Sequence, residues 1–156
     1  MKPVDADQAY WVWIYWRRWR DIGKFLDDPQ DDDANLYAIW GRFGSSVSLF
    51  YIGKIYDQYA GFRLTQEDHV RRRKTLMRRH PRHRLVISLG EMGMPYGGTV
   101  TRSRVSEVER ILIFAHRPEL NRQNRQTHGA QWDYVIKNTG SYGTMYRQLH
   151  FGLFGG

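Results

Sequence analysis

The sequence has no cysteine, no long apolar run, no internal repeat and no low-complexity tract. The lack of cysteine excludes disulfides and thiolate zinc sites. The lack of a long apolar run leaves no segment able to span a bilayer as a helix. The acidic start, and the arginines at the end of the first apolar segment, are unlike a signal peptide. These absences predict a cytoplasmic protein that does not associate with membranes.

The chain is instead rich in positive charge and in aromatic side chains. It carries 24 Lys and Arg against 16 Asp and Glu, a formal net charge of +8, and 15% of its residues are aromatic. Most of the cations are arginines, which favour bidentate contacts with phosphate. This balance fits a polyanionic partner, above all nucleic acid, although a basic protein without such a partner has the same composition. The chain has 156 residues, 41% of them hydrophobic, which is enough for one domain with a core.

Residues 1–34 are predicted to form an N-terminal helix and an acidic linker. Asp5 or Asp7 is a candidate cap for a helix over residues 8–20, which contains four tryptophans. This helix either packs on the main domain or offers its tryptophans to a partner chain or to nucleic acid. The aspartates within residues 27–33 would repel DNA, so we expect the linker to face away from it.

Residues 35–122 are predicted to form the core of the domain, and residues 123–156 a C-terminal extension of it. The expected elements are strands at 36–40 and 47–55, a helix at 66–80, a strand at 84–89, a helix that starts at Ser103 or Ser106 and stops before Pro118, and strands at 132–136 and 145–151. The expected fold class is α+β. It has a small antiparallel or mixed three-stranded sheet flanked by helices, with an N-terminal helical extension and a C-terminal hairpin.

Two tyrosines, Tyr37 and Tyr51, lie on the strands of the first predicted hairpin. A free phenol has a pKa of about 10, so it needs help to act as a base near neutral pH. Lys54, three residues after Tyr51, and nearby arginines can supply this help by favouring the phenolate. Tyrosine is also common in strands for structural reasons, and both interpretations stay open here.

The helix predicted at 66–80 carries a dense run of positive charge. Six cationic residues fall within nine positions: Arg71, Arg72, Arg73, Lys74, Arg78 and Arg79. An anion would relieve the repulsion within such a run, so we interpret it as a set of phosphate contacts rather than as a solvated face. Arg63 precedes this helix, and His69 lies within it.

A carboxylate interrupts the apolar stripe of the last predicted helix. Glu109 follows Val108 and lies two residues before Ile111. Such a residue is either at the flank of the buried stripe or a ligand for a hard metal ion. After this helix, Asn121 is a candidate for side-chain hydrogen bonds that lock the loop.

The order of these residues resembles the GIY-YIG nuclease family over about residues 35–122. The matching positions are Asn35-Leu36-Tyr37 for the first triplet, Tyr51-Ile52-Gly53 for the second, then Arg63, His69, Glu109 and the stretch from Pro118 to Asn121. The resemblance implies a metal-dependent endonuclease that hydrolyses DNA phosphodiester bonds. It also implies that Gly53 and Asn121 are structural supports.

The resemblance further implies a role for each reactive side chain. Glu109 would hold a single Mg²⁺ or Mn²⁺ that stabilises the leaving oxygen. Arg63 would stabilise charge on the phosphate during transfer. Tyr51 or Tyr37 would take the proton of the attacking water. The residues implied to help that proton transfer are His69 and Lys54.

Departures from the family pattern leave alternatives open. The first triplet lacks its glycine, and the gap from Arg63 to His69 is wider than the one common in the family. Arg71, Arg72 or Arg73 therefore competes with Arg63 for the catalytic role. The alternative function is a catalytically inactive nucleic-acid-binding module, and a third is a structural or partner-binding protein that uses residues 1–34. The predicted partner is DNA. Action as a homodimer or with a partner protein is left open, and so is the DNA specificity.

Overall fold

The computed structural model describes residues 9–27, 34–55, 67–121 and 133–151, without the side chains of residues 67 and 68. The strands are β1 (Tyr10–Trp16), β2 (Arg20–Asp21), β3 (Leu36–Phe43), β4 (Ser46–Lys54), β5 (Arg84–Gly93), β6 (Tyr134–Gly140) and β7 (Gln148–Phe151). The helices are α1 (Ile22–Asp27), α2 (Glu67–Arg79) and α3 (Arg102–His116). Among these described helices, none has the length and apolar character needed to cross a membrane.

The strands within the described ranges form one curled sheet in the order β4-β3-β5-β1-β6-β7. β2 lies off this path and pairs with β5, next to the segment that β1 pairs with, which makes seven strands among the described residues. β1 and β6 run parallel, and every other recorded pair is antiparallel. The long strand β5 is therefore held by β3 on one side and by β1 and β2 on the other.

The helix predicted over residues 8–20 is wrong, because residues 10–16 form the strand β1. Along β1, Val12, Ile14 and Trp16 are fully buried, while Trp13 and Tyr15 are exposed. This is the two-residue alternation of a strand, but aromatic side chains on both faces conceal it in the sequence. Tryptophan, tyrosine, valine and isoleucine also favour strands, and pairing with β5 and β6 realises that preference.

The small three-stranded sheet predicted for the fold is also wrong. The strands β4, β3 and β5 form only one part of a larger sheet, which continues through β1 to β6 and β7. The extension exists because β1 pairs with β5 through Trp13–Trp16 and with β6 along its whole length. β6 and β7 pair as antiparallel neighbours, and they do so at the far edge of this sheet rather than apart from it.

Helices cover the sheet on both faces, and each face has its own buried cluster. On the side we name the α3 face, Val108 and Ile111 of α3 pack with Trp16, Trp40 and Ile52. On the side we name the α2 face, Leu76 of α2 and Phe25 of α1 belong to a cluster with Tyr37, Ile39 and Leu89. Burial of these large apolar side chains is the main source of stability for a sheet of this kind.

The outer edge of β4 is covered by the loop that follows α3. Asn121 accepts a hydrogen bond from the Ile52 backbone N–H and donates one to the Ile52 carbonyl, both at 2.9 Å. The backbone N–H of Leu120 donates to the Phe50 carbonyl, also at 2.9 Å. Unpaired backbone groups are costly when buried, and an exposed strand edge is prone to aggregation. These contacts complete the outer edge of β4, which pairs only with β3 among the described strands.

We expect Asn121→Ala to lower the free energy of unfolding by about 1–3 kcal/mol, because it leaves the buried N–H and C=O of Ile52 without their partner. Asn121→Asp should also destabilise the fold, since it retains an acceptor for the Ile52 N–H but sets an oxygen against the Ile52 carbonyl. Urea denaturation followed by circular dichroism measures both, with the exposed Gln148→Ala as the control. An Asn121→Ala stability equal to that of the wild type would contradict the assignment.

Candidate active site

A bulge in β4 determines where the side chain of Tyr51 points. Ile39 pairs with Tyr51 and Trp40 pairs with Leu49, so Phe50 is an extra residue in the ladder. Phe50 and Tyr51 both join the cluster on the α2 face, although consecutive strand residues normally alternate between faces. The bulge therefore brings Tyr51 to the face that carries Tyr37, with the two ring centroids 5.8 Å apart.

Gly53 leaves room for the ring of Tyr37. The two residues are paired across β4 and β3. A Cβ atom added at Gly53 would overlap Cζ, Cε1 and Oη of Tyr37. The Tyr37 side chain is fully buried, so it has little freedom to move aside.

Helix α2 adds a histidine and an arginine to the two phenols. The Tyr37 hydroxyl lies 3.1 Å from Nδ1 of His69, which is buried. Nη1 of Arg72 donates to the Tyr51 hydroxyl at 2.9 Å, and the guanidinium carbon is 4.7 Å from the centre of the Tyr51 ring. His69, Arg72 and the core residue Leu76 are spaced by three and four, so they share one helix face.

The donors around His69 indicate which nitrogen carries its proton. Nη1 of Arg72 is 3.4 Å from Nδ1 of His69, and arginine can only donate. A hydrogen bond from Arg72 therefore requires Nδ1 to be unprotonated, while the Tyr37 hydroxyl lies 3.1 Å from Nδ1 and 3.5 Å from Nε2. Of the two phenols, Tyr51 keeps 9% of its surface exposed while Tyr37 has none, so a water molecule reaches Tyr51 more easily.

A second group of polar residues lies on the α3 face at the end of β4. Lys54 pairs with Leu36, which points to the α3 face, and its ammonium donates to Oγ of Ser106 at 3.1 Å. The same ammonium lies 3.9 Å from Oε1 of Glu109, whose side chain is 13% exposed. Ser106 and Glu109 are three residues apart on α3 and so lie on one side of the helix.

Ser106 is a site residue that the sequence analysis missed. The sequence pattern predicts Ser106 only as a possible start of α3, whereas the helix is capped by Thr101, whose side chain accepts a hydrogen bond from the Arg104 backbone N–H. The signal that could have found it is its spacing of three residues before Glu109, which places both side chains toward the end of β4.

The described site residues that were predicted thus fall into two groups, with Gly53 and Asn121 as supports. The first group is on the α2 face and contains Tyr37, Tyr51, His69 and Arg72. The second is on the α3 face and contains Lys54 and Glu109. Asn121 holds the backbone of β4 between them. Arg63 lies outside the described residues.

The rest of the predicted phosphate-binding set lies along α2. The exposed members are Arg71, Lys74, Arg78 and Arg79. Arg73 is half-buried, and this burial lowers the pKa of its guanidinium from the ordinary value. The exposed cations form a positive surface beside the phenols, because Arg72 of the same helix contacts Tyr51.

Glu109 is the residue predicted to hold a metal ion. Within the described ranges, no three His, Asp or Glu side chains are grouped as a metal site. Mg²⁺, however, commonly keeps several waters and takes one or two carboxylates together with substrate phosphates. A partly exposed carboxylate on α3, beside the end of the edge strand β4, fits that mode of binding.

Comparisons with protein-family models, curated proteins and solved structures find no match to this chain.

We expect Gly53→Ala to destabilise the protein by about 1–3 kcal/mol, because its methyl group would overlap the buried Tyr37 ring. Gly93→Ala is the matched control, since a Cβ at that strand position meets nothing within 4 Å, and its stability should stay within about 0.5 kcal/mol of wild type. Thermal and urea denaturation measure both variants. Equal stabilities for the two would show that Tyr37 is not fixed over Gly53.

Proposed function

We propose that the protein is a metal-dependent endonuclease that hydrolyses DNA phosphodiester bonds, with a site of the GIY-YIG type. The observation that carries the proposal is the contact network from Tyr37 through His69 and Arg72 to Tyr51. It combines a partly accessible phenol, which is a candidate base, with an imidazole beside it and a guanidinium suited to bind phosphate. Glu109 of α3 adds a carboxylate beside Lys54, at the end of the strand β4 that carries Tyr51.

In the proposed reaction, Tyr51 acts as the phenolate and takes the proton from the attacking water, whose oxygen bonds to phosphorus as the bond from phosphorus to the leaving oxygen breaks. Arg72 donates to the Tyr51 oxygen and so stabilises negative charge on that oxygen. A guanidinium presents its N–H donors in a planar fork that matches the geometry of a phosphate, so we assign phosphate binding to Arg72 as well. Tyr37 is a positioning residue, because it is fully buried and holds Nδ1 of His69.

Glu109 would hold the Mg²⁺ or Mn²⁺ ion, which supplies Lewis-acid stabilisation of the developing charge when bound. Ser106 accepts a hydrogen bond from Lys54 and thereby keeps the Lys54 ammonium near Glu109. Lys54 attracts a phosphate oxygen to the same place, because its side chain is about one-third exposed. In this proposal, the residues of this group bind the metal ion and orient the phosphate, and they do not take the proton of the attacking water.

The proposed substrate is DNA because of the charge on α2 and on the chain as a whole. The exposed cations of α2 extend along about two helical turns and would track successive phosphates. The net charge of +8 favours association with any polyanion, and Arg72 links this surface to the reacting groups. Cytoplasmic location and possible action as a homodimer or with a partner protein belong to the same proposal.

One observation favours the alternative of an inactive nucleic-acid-binding module. The Lys54 ammonium lies 3.9 Å from the Glu109 carboxylate and offsets its charge, so it competes with a divalent cation. In that function, Lys54 and Glu109 would stabilise the strand end, and α2 would still bind phosphates. The two functions differ in whether bound DNA is cut.

We expect Glu109→Gln to lower plasmid cleavage in Mg²⁺ by at least about 100-fold while leaving retardation of the plasmid on gels nearly unchanged, because it removes only the metal-binding charge. Glu91→Gln is the control. Glu91 lies on β5, away from α3, and forms an ion pair with Arg17, so this variant should cleave at the wild-type rate. EDTA should abolish wild-type cleavage. Undiminished cleavage by Glu109→Gln would contradict the assignment of Glu109 as the metal ligand.

Two wild-type results would redirect the proposal. Retardation without nicking, in Mg²⁺ and in Mn²⁺, would support the inactive binding module. The absence of both retardation and nicking would contradict both nucleic-acid functions.

We expect Arg72→Ala to reduce cleavage at saturating DNA by about 100- to 1,000-fold, because the Tyr51 oxygen and the phosphate lose the same donor. Arg71→Ala is the matched variant one position earlier on the exposed face of α2, and we expect it to weaken DNA binding and its salt dependence without lowering the saturated rate. Single-turnover kinetics separate the two effects. Equal losses of the saturated rate in both variants would contradict the role given to Arg72.

A further inference from the structure

Strand β1 presents a row of aromatic side chains on the α2 face of the sheet. Trp11, Trp13 and Tyr15 alternate with the buried residues of β1, and Tyr15 pairs with Glu91 of β5. Tyr96, in the turn after β5, contacts the two tryptophans. The exposed fractions are large: 41% for Trp13, 51% for Tyr15 and 71% for Tyr96. We name Trp11, Trp13, Tyr15 and Tyr96 the aromatic surface.

The rings of this surface are ordered by their mutual contacts. Tyr96 meets Trp11 and Trp13 edge-on, with centroid distances of 5.5 and 6.1 Å and nearly perpendicular planes. Lys137 pairs with Trp13 across β1 and β6, and its ammonium is 5.5 Å from the centre of the Trp13 ring. Rigid aromatic rings with an adjacent cation suit flat, partly apolar groups joined by negative charges.

We infer that the aromatic surface binds unpaired bases of a nucleic acid by stacking, with Lys137 contacting the phosphates. This inference rests on the proposed function and adds to it a substrate class, which is DNA with a single-stranded segment. Proteins hold single strands by combining aromatic platforms with positive charge, and paired bases in a duplex cannot offer their faces in this way. The net charge of +8 is complementary to such a strand.

The aromatic surface and the proposed active site share one face of the sheet. On β5, Glu91 pairs with Tyr15 and Leu89 pairs with Tyr37, two residues further along and on the same face. β1 and β4 are separated by β5 and β3 in the sheet order, so Tyr15 and Tyr51 lie on the order of 20 Å apart. A single strand of a few nucleotides spans this distance and can connect the stacked bases to the phosphate near Tyr51.

The experiment is fluorescence anisotropy of the full chain with a labelled oligothymidylate of about twelve residues, in EDTA so that no cleavage occurs. We expect Trp13→Ala to weaken binding by about 5- to 100-fold and Tyr96→Ala by about 5-fold, because each removes a stacking ring. Binding of a duplex of similar length should change less than twofold. Quenching of tryptophan fluorescence by the oligothymidylate in the unmodified protein is the second measurement.

Tyr146→Ala is the matched control. Tyr146 is 59% exposed, and its ring packs against His116 of α3, outside the aromatic surface. We expect this variant to bind the oligothymidylate as the wild type does. Because Trp13 lies within β1 and its change risks the fold, Tyr96→Ala, which lies in a turn, keeps the test decisive if Trp13→Ala unfolds on thermal denaturation.

Several outcomes would overturn the inference. The first is that the wild-type protein binds no oligothymidylate. The second is that Tyr96→Ala binds it as tightly as the wild type does. The third is that the variants lose duplex binding and single-strand binding equally. A change from dimer to monomer in the variants on size-exclusion chromatography, with oligothymidylate binding retained, would instead make this surface an interface between copies of the chain. Failure of plasmid cleavage with stacking-dependent binding intact would contradict the nuclease function and leave the binding surface standing.

Discussion

The bidentate pairing of Asn121 with the backbone of Ile52 is the interaction on which the arrangement around β4 depends. It satisfies the buried N–H and C=O of an edge strand with a residue that lies five positions after the end of α3. The left-handed conformation of Arg117 ends α3 and turns the chain toward that edge. Because the helix and the strand edge are joined in this way, the side of α3 that carries Ser106 and Glu109 lies against the end of β4.

Local sequence patterns were sufficient for the middle of the chain and insufficient for its N-terminal part. The strands β3, β4 and β5 and the helices α2 and α3 lie close to their predicted bounds, because apolar runs, turn residues and prolines mark them within short windows. β1 was predicted as a helix, because Trp11, Trp13 and Tyr15 put aromatic side chains where alternation would require polar ones. Its partners β5 and β6 are distant in the sequence, so no local pattern indicated the larger sheet.

The residue types of the candidate site were predictable, but their grouping was not. The bulge at Phe50, which turns Tyr51 toward Tyr37, depends on strand pairing and leaves no mark in the sequence. Among the three consecutive arginines of α2, the helix period does select Arg72, because it lies three residues after His69 and four before Leu76. That selection requires knowing that His69 and Leu76 are buried on the same face, which follows from packing rather than from composition.

The division of the site between two faces of β4 restricts how a substrate can approach. Tyr51 and Arg72 lie on the α2 face, while Lys54 and Glu109 lie on the α3 face, because successive strand residues alternate. In the interior of a sheet, neighbouring strands on both sides would separate two such groups. Among the strands that the structure describes, β4 pairs only with β3. Leu120 and Asn121 cover its outer edge at Phe50 and Ile52. A phosphate that contacts both groups must therefore reach them around the end of β4, where Gly53 adds no side chain.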